Sequence, residues 1–162
     1  MEGSVILRAS TPDDQEFLFA VYASTREEEL SLSGWDDIQK RAFLEMQFRA
    51  QSQQYGLCYP HADSNVILLN DHPVGRFLVD RTGPDITLVD IALLPGYRNR
   101  GIGTTLIKSL LKEATGLKKD VALHVLRGSA AARLYERLGF TTVAEDSVYL
   151  EMRRTPDEDR SN

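Results

Sequence analysis

The chain has one cysteine, Cys58, among 162 residues. No internal disulfide can form, and a reducing, cytoplasmic compartment fits. Cys58 itself reads as a small, partly buried thiol rather than a nucleophile. No apolar run approaches the ~20 residues that span a bilayer, and the opening MEGSVILRAS holds no apolar core of signal-peptide length. Neither membrane nor export is expected. Positive charge is not in excess either: 19 Lys and Arg face 24 Asp and Glu, a net charge of −5. A nucleic-acid partner wants a basic face, so none is expected. The three histidines, His61, His72 and His124, lack metal-ligand spacing, which argues against a metal site. His124 reads as a packed or edge histidine. No Gly-x-Ser-x-Gly elbow suggests a hydrolase triad, and no repeat or long linker divides the chain. The expectation is one domain over residues 1–154, with a charged, frayed tail from Thr155 to Asn162.

What is present alternates strands and helices. Ser4 to Arg8 reads as a strand, and Thr11-Pro12-Asp13-Asp14 as the start of a helix running to about Glu28. A second helix is expected from near Ser33 to about Gln54, stopped by Gly56. Ile38, Ala42, Met46 and Ala50 form its stripe at spacing four, while Phe43, Leu44 and Phe48 widen its apolar surface. That width fits a helix wedged between two surfaces, or one whose Trp35, Phe48, Gln51 and Tyr55 border an acceptor pocket. Asn65 to Leu69 and Val74 to Asp80 read as strands joined by Asn70-Asp71-His72-Pro73. Further on come a strand at Val121 to Val125, a short helix at Ser129 to Leu138 closed by Gly139, and a final pair, Thr141 to Ala144 and Val148 to Met152. The helix at Ser129 turns Ala131, Leu134, Tyr135 and Leu138 to one face. The final strand pair offers an edge through which a homodimer could form.

One stretch organises the rest: LVDIALLPGYRNRGIGTTLIKSLL, from Leu88 to Leu111. The strand here spans Ile86 to Leu93, and Pro95 follows closely. A glycine-containing basic turn runs from Arg98 to Gly103. A helix then begins with Ile102, Leu106, Leu110 and Ala114 spaced by four and ends at Gly116. A strand, tight turn and helix N-terminus in that order present unpaired backbone N–H groups at the positive end of a helix, which suits an anion and above all a phosphate. Gly101 and Gly103 leave no Cβ in the ligand's path. Arg/Gln-x-x-Gly-x-Gly alone arises by chance at about one position in 2,000, so the turn needs corroboration. No lysine follows the glycines as it does in a P-loop nucleotide binder.

Corroboration comes from Ala131-Ala132-Arg133-Leu134-Tyr135-Glu136-Arg137-Leu138-Gly139-Phe140. Together with Leu93-Leu94-Pro95 and Arg98-x-x-Gly101-x-Gly103, it closely resembles the GCN5-related N-acetyltransferase (GNAT) superfamily. The resemblance implies an α/β fold: a mixed, mostly antiparallel sheet of about seven strands with a splayed central parallel pair, flanked by about four helices. It implies acetyl-CoA, or another acyl-CoA, as co-substrate. Backbone groups of Leu93, Leu94 and Pro95 would pair with the pantetheine arm. The amides of Arg98, Asn99, Arg100, Gly101, Ile102, Gly103 and Thr104 would hold the pyrophosphate, and Tyr135 would sit near the thioester sulfur. Two positions depart from the family. The asparagine expected seven residues before the tyrosine is Gly128, with Ser129 or Arg127 beside it as substitutes. The glutamate expected in the central strand is Thr87, which leaves Asp90 as the ionisable side chain of that strand.

The chemistry sets the roles. A lysine-like amine with pKa near 10.4 is neutral in about one molecule in 2,500 at pH 7, so a base or a desolvating site must help. Asp90 is the candidate base, and a structural carboxylate is its other reading. The oxyanion needs a donor such as the Leu93 N–H. Proton transfer from a tyrosine (about 10) to a thiolate (about 8.5) is uphill by roughly 2 kcal/mol, so Tyr135 works best as a hydrogen-bond donor to sulfur. Its other reading is a core tyrosine. The function so implied is transfer of an acetyl group to a primary amine by direct attack, the acceptor a small molecule in preference to a protein lysine or N-terminus. A non-catalytic acyl-CoA-binding module is the competing class.

Overall fold

The computed structural model describes residues 3–156. The expected C-terminal tail therefore falls, from residue 157 on, outside the described residues. Seven strands form one sheet in the order β1-β2-β3-β4-β5-β7-β6, mostly antiparallel with one parallel pair, β4–β5. They are β1 (Val5–Ala9), β2 (Asp63–Leu69), β3 (His72–Asp80), β4 (Ile86–Leu93), β5 (Val121–Leu126), β6 (Thr141–Glu145) and β7 (Tyr149–Arg154). Five helices accompany them: α1 (Gln15–Ser24), α2 (Glu27–Ser31), α3 (Asp37–Cys58), α4 (Ile102–Leu117) and α5 (Ala130–Arg137). No helix among the described residues is long and apolar enough to cross a membrane. The chain clusters into two compact units. One holds residues up to Leu78 with Asp90–Gly103; the other holds Val79–Val89 with the chain from Thr104 on.

In the first unit, β1 lies antiparallel to β2 with Val5 opposite Leu69 and Ala9 opposite Asn65. The β2–β3 turn is shorter than the four residues expected. Asn70 (φ 49°) and Asp71 (φ 69°) are both left-handed, as a two-residue hairpin turn matched to strand twist requires, and His72 and Pro73 belong to β3. A single 3-10 turn at Pro12–Asp14 precedes α1. There Arg8 grips Asp14 with two bonds of 2.9 Å, and the Thr11 N–H donates to the same carboxylate at 2.7 Å. The guanidinium first, then that amide, hold the Asp14 carboxyl down to about 2.

The single helix expected to reach Glu28 is instead α1 and α2. The Ser24 hydroxyl donates to the Val21 carbonyl at 2.7 Å and the Thr25 hydroxyl to that of Tyr22 at 2.6 Å, local bonds that compete with the helical ladder. The next helix begins later than expected. Asp36 is the N-cap of α3, accepting from the Gln39 amide at 2.8 Å while Gln39 reaches back to the Asp36 N–H. α3 runs through Gly56 to Cys58, whose thiol is exposed rather than partly buried.

The stripe expected on α3 is wrong. Ile38 is 81% exposed and Met46 59%, and Ala42 and Ala50 face solvent too. A strict spacing of four turns ~40° per step away from a straight face. The covered side instead carries Leu44 with half-buried Phe43, Gln47, Phe48, Gln51 and Tyr55, at mixed spacings of three and four. Phe48 meets Phe19 and Tyr22 of α1 with ring centroids 5.6 Å apart in each case. α3 thus packs on one side only. Gly75 of β3 is required by close approach, because a methyl there would collide with the Ala92 carbonyl oxygen of β4.

In the second unit, α4 buries Leu106, Leu110 and Ala114 of its expected stripe, together with Ile107 and Leu111; it ends at Leu117, one residue past Gly116. On α5 the buried residues are Ala132 and Tyr135, whereas Ala131 is exposed. Gly139 follows the helix at φ 95° with its amide on the Glu136 carbonyl. His124 is neither buried nor on an edge strand: it stands exposed on β5 opposite Glu151 of β7. β6 is the edge, exposed along its length.

The parallel ladder covers Ile86↔Val121 and Thr87↔Ala122. Immediately before each strand stands an aspartate, Asp85 and Asp120. Arg153 of β7 donates to both, at 2.6 Å and 3.0 Å. Replacing Arg153 by Met leaves the two carboxylates facing each other and is expected to cost about 1–2 kcal/mol, a Tm loss of a few degrees. Adding Asp85→Asn should restore part of that loss. A double variant no more stable than Arg153→Met alone in thermal melts would mean that charge balance is not what Arg153 supplies.

Candidate active site

β4 ends when the Leu94 amide donates to the Val74 carbonyl of β3 at 2.8 Å. Pro95 then opens a single 3-10 turn, Pro95–Tyr97. Between it and α4, Asn99 (φ 60°) and Gly101 (φ 83°) are left-handed. Asparagine tolerates that region better than most residues and glycine adopts it freely, so the basic turn is built from the two residue types it needs. A Cβ on Gly101 would meet nothing within 4 Å, so open space lies over the turn, whereas one on Gly103 would sit 3.8 Å from Ile91. Ile102 is fully buried and anchors the first turn of α4. The opening amides of α4, Gly103 and Thr104 among them, lack intrahelical partners and carry the positive end of the helix dipole.

The two arginines of the turn do different things. The Arg98 guanidinium points back into its own unit, donating to the Leu93 carbonyl at 2.9 Å and to the Ser24 hydroxyl at 3.2 Å. It ties the turn to the end of α1. Arg100 is exposed and lies over the Tyr97 ring, 5.4 Å from its centroid.

In the second unit, the β5–α5 connection pivots on Gly128 (φ 71°). Glycine adopts that left-handed conformation freely. What is lost relative to the family asparagine is the side-chain amide. Ser129 is the N-cap of α5: its hydroxyl accepts from the Ala132 amide at 3.1 Å and donates to the Leu126 carbonyl at 2.8 Å. Arg127 is committed as well, donating to the Asp146 carbonyl at 3.0 Å. Tyr135 is buried on α5 with its ring 5.5 Å from Phe140. A larger cavity of about 510 Å³ in this unit is walled by Lys108, Lys112, Arg137 and Arg154 and touches none of the expected site residues.

Asp90, in the first unit, is half-buried on β4. Burial pushes its carboxyl above the ordinary carboxylate range, against the opposing charge of Arg76 and the Ile91 amide. The three residues expected to bind an acceptor are not brought together. Tyr55 lines a cavity under α1 and α3, Gln51 is half-buried on the inner side of α3, and Trp35 packs edge-on against Phe43 at 5.1 Å. Arg76, absent from the expected site, belongs to it by position. Its signal was a lone charge inside the apolar run Val74–Val79, and the structure buries it to 8% exposure.

Because the folded Asp90 carboxyl sits above its unfolded counterpart, the native state holds more protons between the two, and stability falls as pH rises through that interval. Asp90→Asn is uncharged throughout. Its Tm is expected to gain on the wild type as pH rises from about 4 toward neutrality. Identical pH profiles for the two proteins would show that burial does not govern Asp90.

Comparison with known proteins gives the same picture. The coenzyme A complex of PaiA N-acetyltransferase from Thermoplasma acidophilum superposes with a TM-score of 0.71 at 16% identity, covering 94% of this chain and 99% of that one. A GCN5-related N-acetyltransferase from Rhodopseudomonas palustris does so at 0.67 and 20% identity, covering 96% and 98%. Among curated proteins, the histone acetyltransferase MCC1 of Arabidopsis thaliana is 41% identical over 61 residues, 36% of this chain; the chain spans about a quarter (25%) of that protein's length. Residues 21–140 match the Acetyltransferase (GNAT) family, so that the match takes in β4, the glycine turn, α4 and α5. The chain belongs to the GNAT acetyltransferase family.

Proposed function

We propose that the protein is an N-acyltransferase that moves an acetyl group from acetyl-CoA to the primary amine of a small molecule. The observation that carries this reading is the turn at Arg98–Gly103: left-handed Gly101 with open space above it, feeding directly into α4. Those residues fit a diphosphate. The opening amides of α4, from Ile102 to Thr104, supply donors and the helix dipole favours negative charge. Arg100 adds a cation at the surface, while Arg98 serves the turn's shape through Leu93 and Ser24. The PaiA enzyme solved with coenzyme A supports the choice of donor.

Bound acetyl-CoA supplies an activated thioester carbonyl. The chain's own residues supply the rest. Asp90 takes the proton from the ammonium, a task that a carboxyl raised by burial performs better than an ordinary one, because proton transfer from an amine is less uphill. The Leu93 N–H donates to the oxyanion. Tyr135, already desolvated, donates its hydroxyl hydrogen bond to the departing sulfur. No covalent acyl-enzyme is required.

Thiol release from acetyl-CoA, followed across polyamines, amino acids, aminoglycosides and lysine peptides, is expected to depend on one class of acceptor. Tyr135→Phe should lower kcat about 10- to 100-fold with little change in the KM for acetyl-CoA. Gly101→Val, strained at positive φ, should instead raise that KM. Tight calorimetric binding of coenzyme A without release to any amine would replace the enzyme with an acyl-CoA-binding module.

A further inference from the structure

Beneath α1 and α3, the first unit holds a half-open cavity of about 240 Å³. Leu18, Phe48, Tyr55 and Tyr59 form its apolar and aromatic walls, and Ser64 and Arg76 reach it from the sheet. Arg76 is the only cation in that lining; the other polar residues there, serines, tyrosines and a glutamine, are neutral. Arg76 as a residue is 8% exposed, and its buried Nε has no hydrogen-bond partner. The one bond it makes to a side chain is long, Nη2 to the Ser64 hydroxyl at 3.4 Å, and that hydroxyl is already engaged with Ser10 at 2.8 Å. Asp90 feels the Arg76 charge through space, yet no carboxylate among the described residues forms an ion pair with Arg76.

A desolvated guanidinium with an idle N–H and no ion-pair partner is costly to keep in a folded protein, and the cost vanishes when an anion docks against it. We infer that this cavity binds the carboxylate of a small molecule, with Arg76 as its cation and the Tyr55 and Tyr59 rings against the ligand's carbon skeleton. The planar fork of arginine matches a carboxylate with two parallel bonds. Arg76 is the single charge in the lining, and the Asp90 carboxyl that acts on it from outside the lining adds no positive charge, so the site suits a monoanion; a phosphate dianion would leave a second negative charge unmet. The volume lies below the ~300 Å³ at which drug-sized sites begin, so the ligand is a small acid or an amino acid. Two sources share this chemistry: the carboxylate belongs to the acceptor amine itself, an assignment that rests on the acetyltransferase reading above, or to a separate acid held beside it.

Isothermal calorimetry on the full chain, with no acyl donor present, tests the site independently of catalysis. The probes are butanoate, 4-aminobutanoate, butylamine and inorganic phosphate. Butanoate and 4-aminobutanoate are expected to bind, and butylamine and phosphate to bind far more weakly. Arg76→Met should reduce carboxylate affinity about 10- to 100-fold, with Arg76→Lys in between. Should Arg76→Met fail to fold, Ser52→Trp, at an exposed position of the lining on α3, closes the cavity without touching the guanidinium and should abolish binding. Absence of carboxylate binding to the wild type, binding that survives these substitutions, or phosphate bound in preference would each overturn the site. Thiol release with 4-aminobutanoate as acceptor then assigns the carboxylate to the acceptor, and binding without release assigns it to a separate acid.

Discussion

Two parallel strands must start side by side, and the chain places a carboxylate in front of each. Asp85 and Asp120 would repel one another at the mouth of the β4–β5 ladder; Arg153 reaches across from β7 and binds both. The Ile86 amide adds a bond to the Asp120 carbonyl at 2.9 Å. From that clamp the parallel ladder needs only two residue pairs to be defined. β4 can then leave β5 and run on to Leu93, so its later backbone groups on that side look elsewhere for partners. At least one finds its partner in a side chain, since the Leu93 carbonyl accepts from Arg98.

The chemistry of the first unit turns on how little charge its interior compensates. Arg76 and Asp90 influence each other without touching as an ion pair, and burial and the arginine pull the Asp90 carboxyl in opposite directions. A tight pair would have fixed both charges and removed both from service. Leaving them apart keeps a carboxyl that binds a proton more readily than an ordinary one and a guanidinium with capacity to spare, both in unit one with the glycine turn.

The parts of the fold that could be read from the residues are those where local rules act alone. The bounds of β4 and the buried stripe of α4 follow from a largely apolar run, broken only by Thr87 and Asp90, with proline soon after it, and from a single dominant helical face. α3 misled because it offers more than one apolar face: Ile38 and Met46 line up at spacing four, yet Phe43, Leu44 and Phe48, offset from that row, are the ones that pack. The break between α1 and α2 depends on where two hydroxyl protons go, and spacing does not encode that. The glycine turn and the Tyr135 helix were legible as motifs, because left-handed positions restrict residue type. The inward aim of Arg98, the capping role of Ser129 and the isolation of Arg76 come from three-dimensional neighbours.

Cys58 stands at the end of α3 as the chain's one thiol, exposed, three residues after Tyr55 and next to Tyr59. A maleimide fluorophore or nitroxide added to the unaltered chain therefore attaches at a single known place, at the rim of the wall those tyrosines form. The molecule comes with its own reporter position, and occupancy beneath α3 can be followed optically in the native sequence, with no engineered cysteine and none to remove.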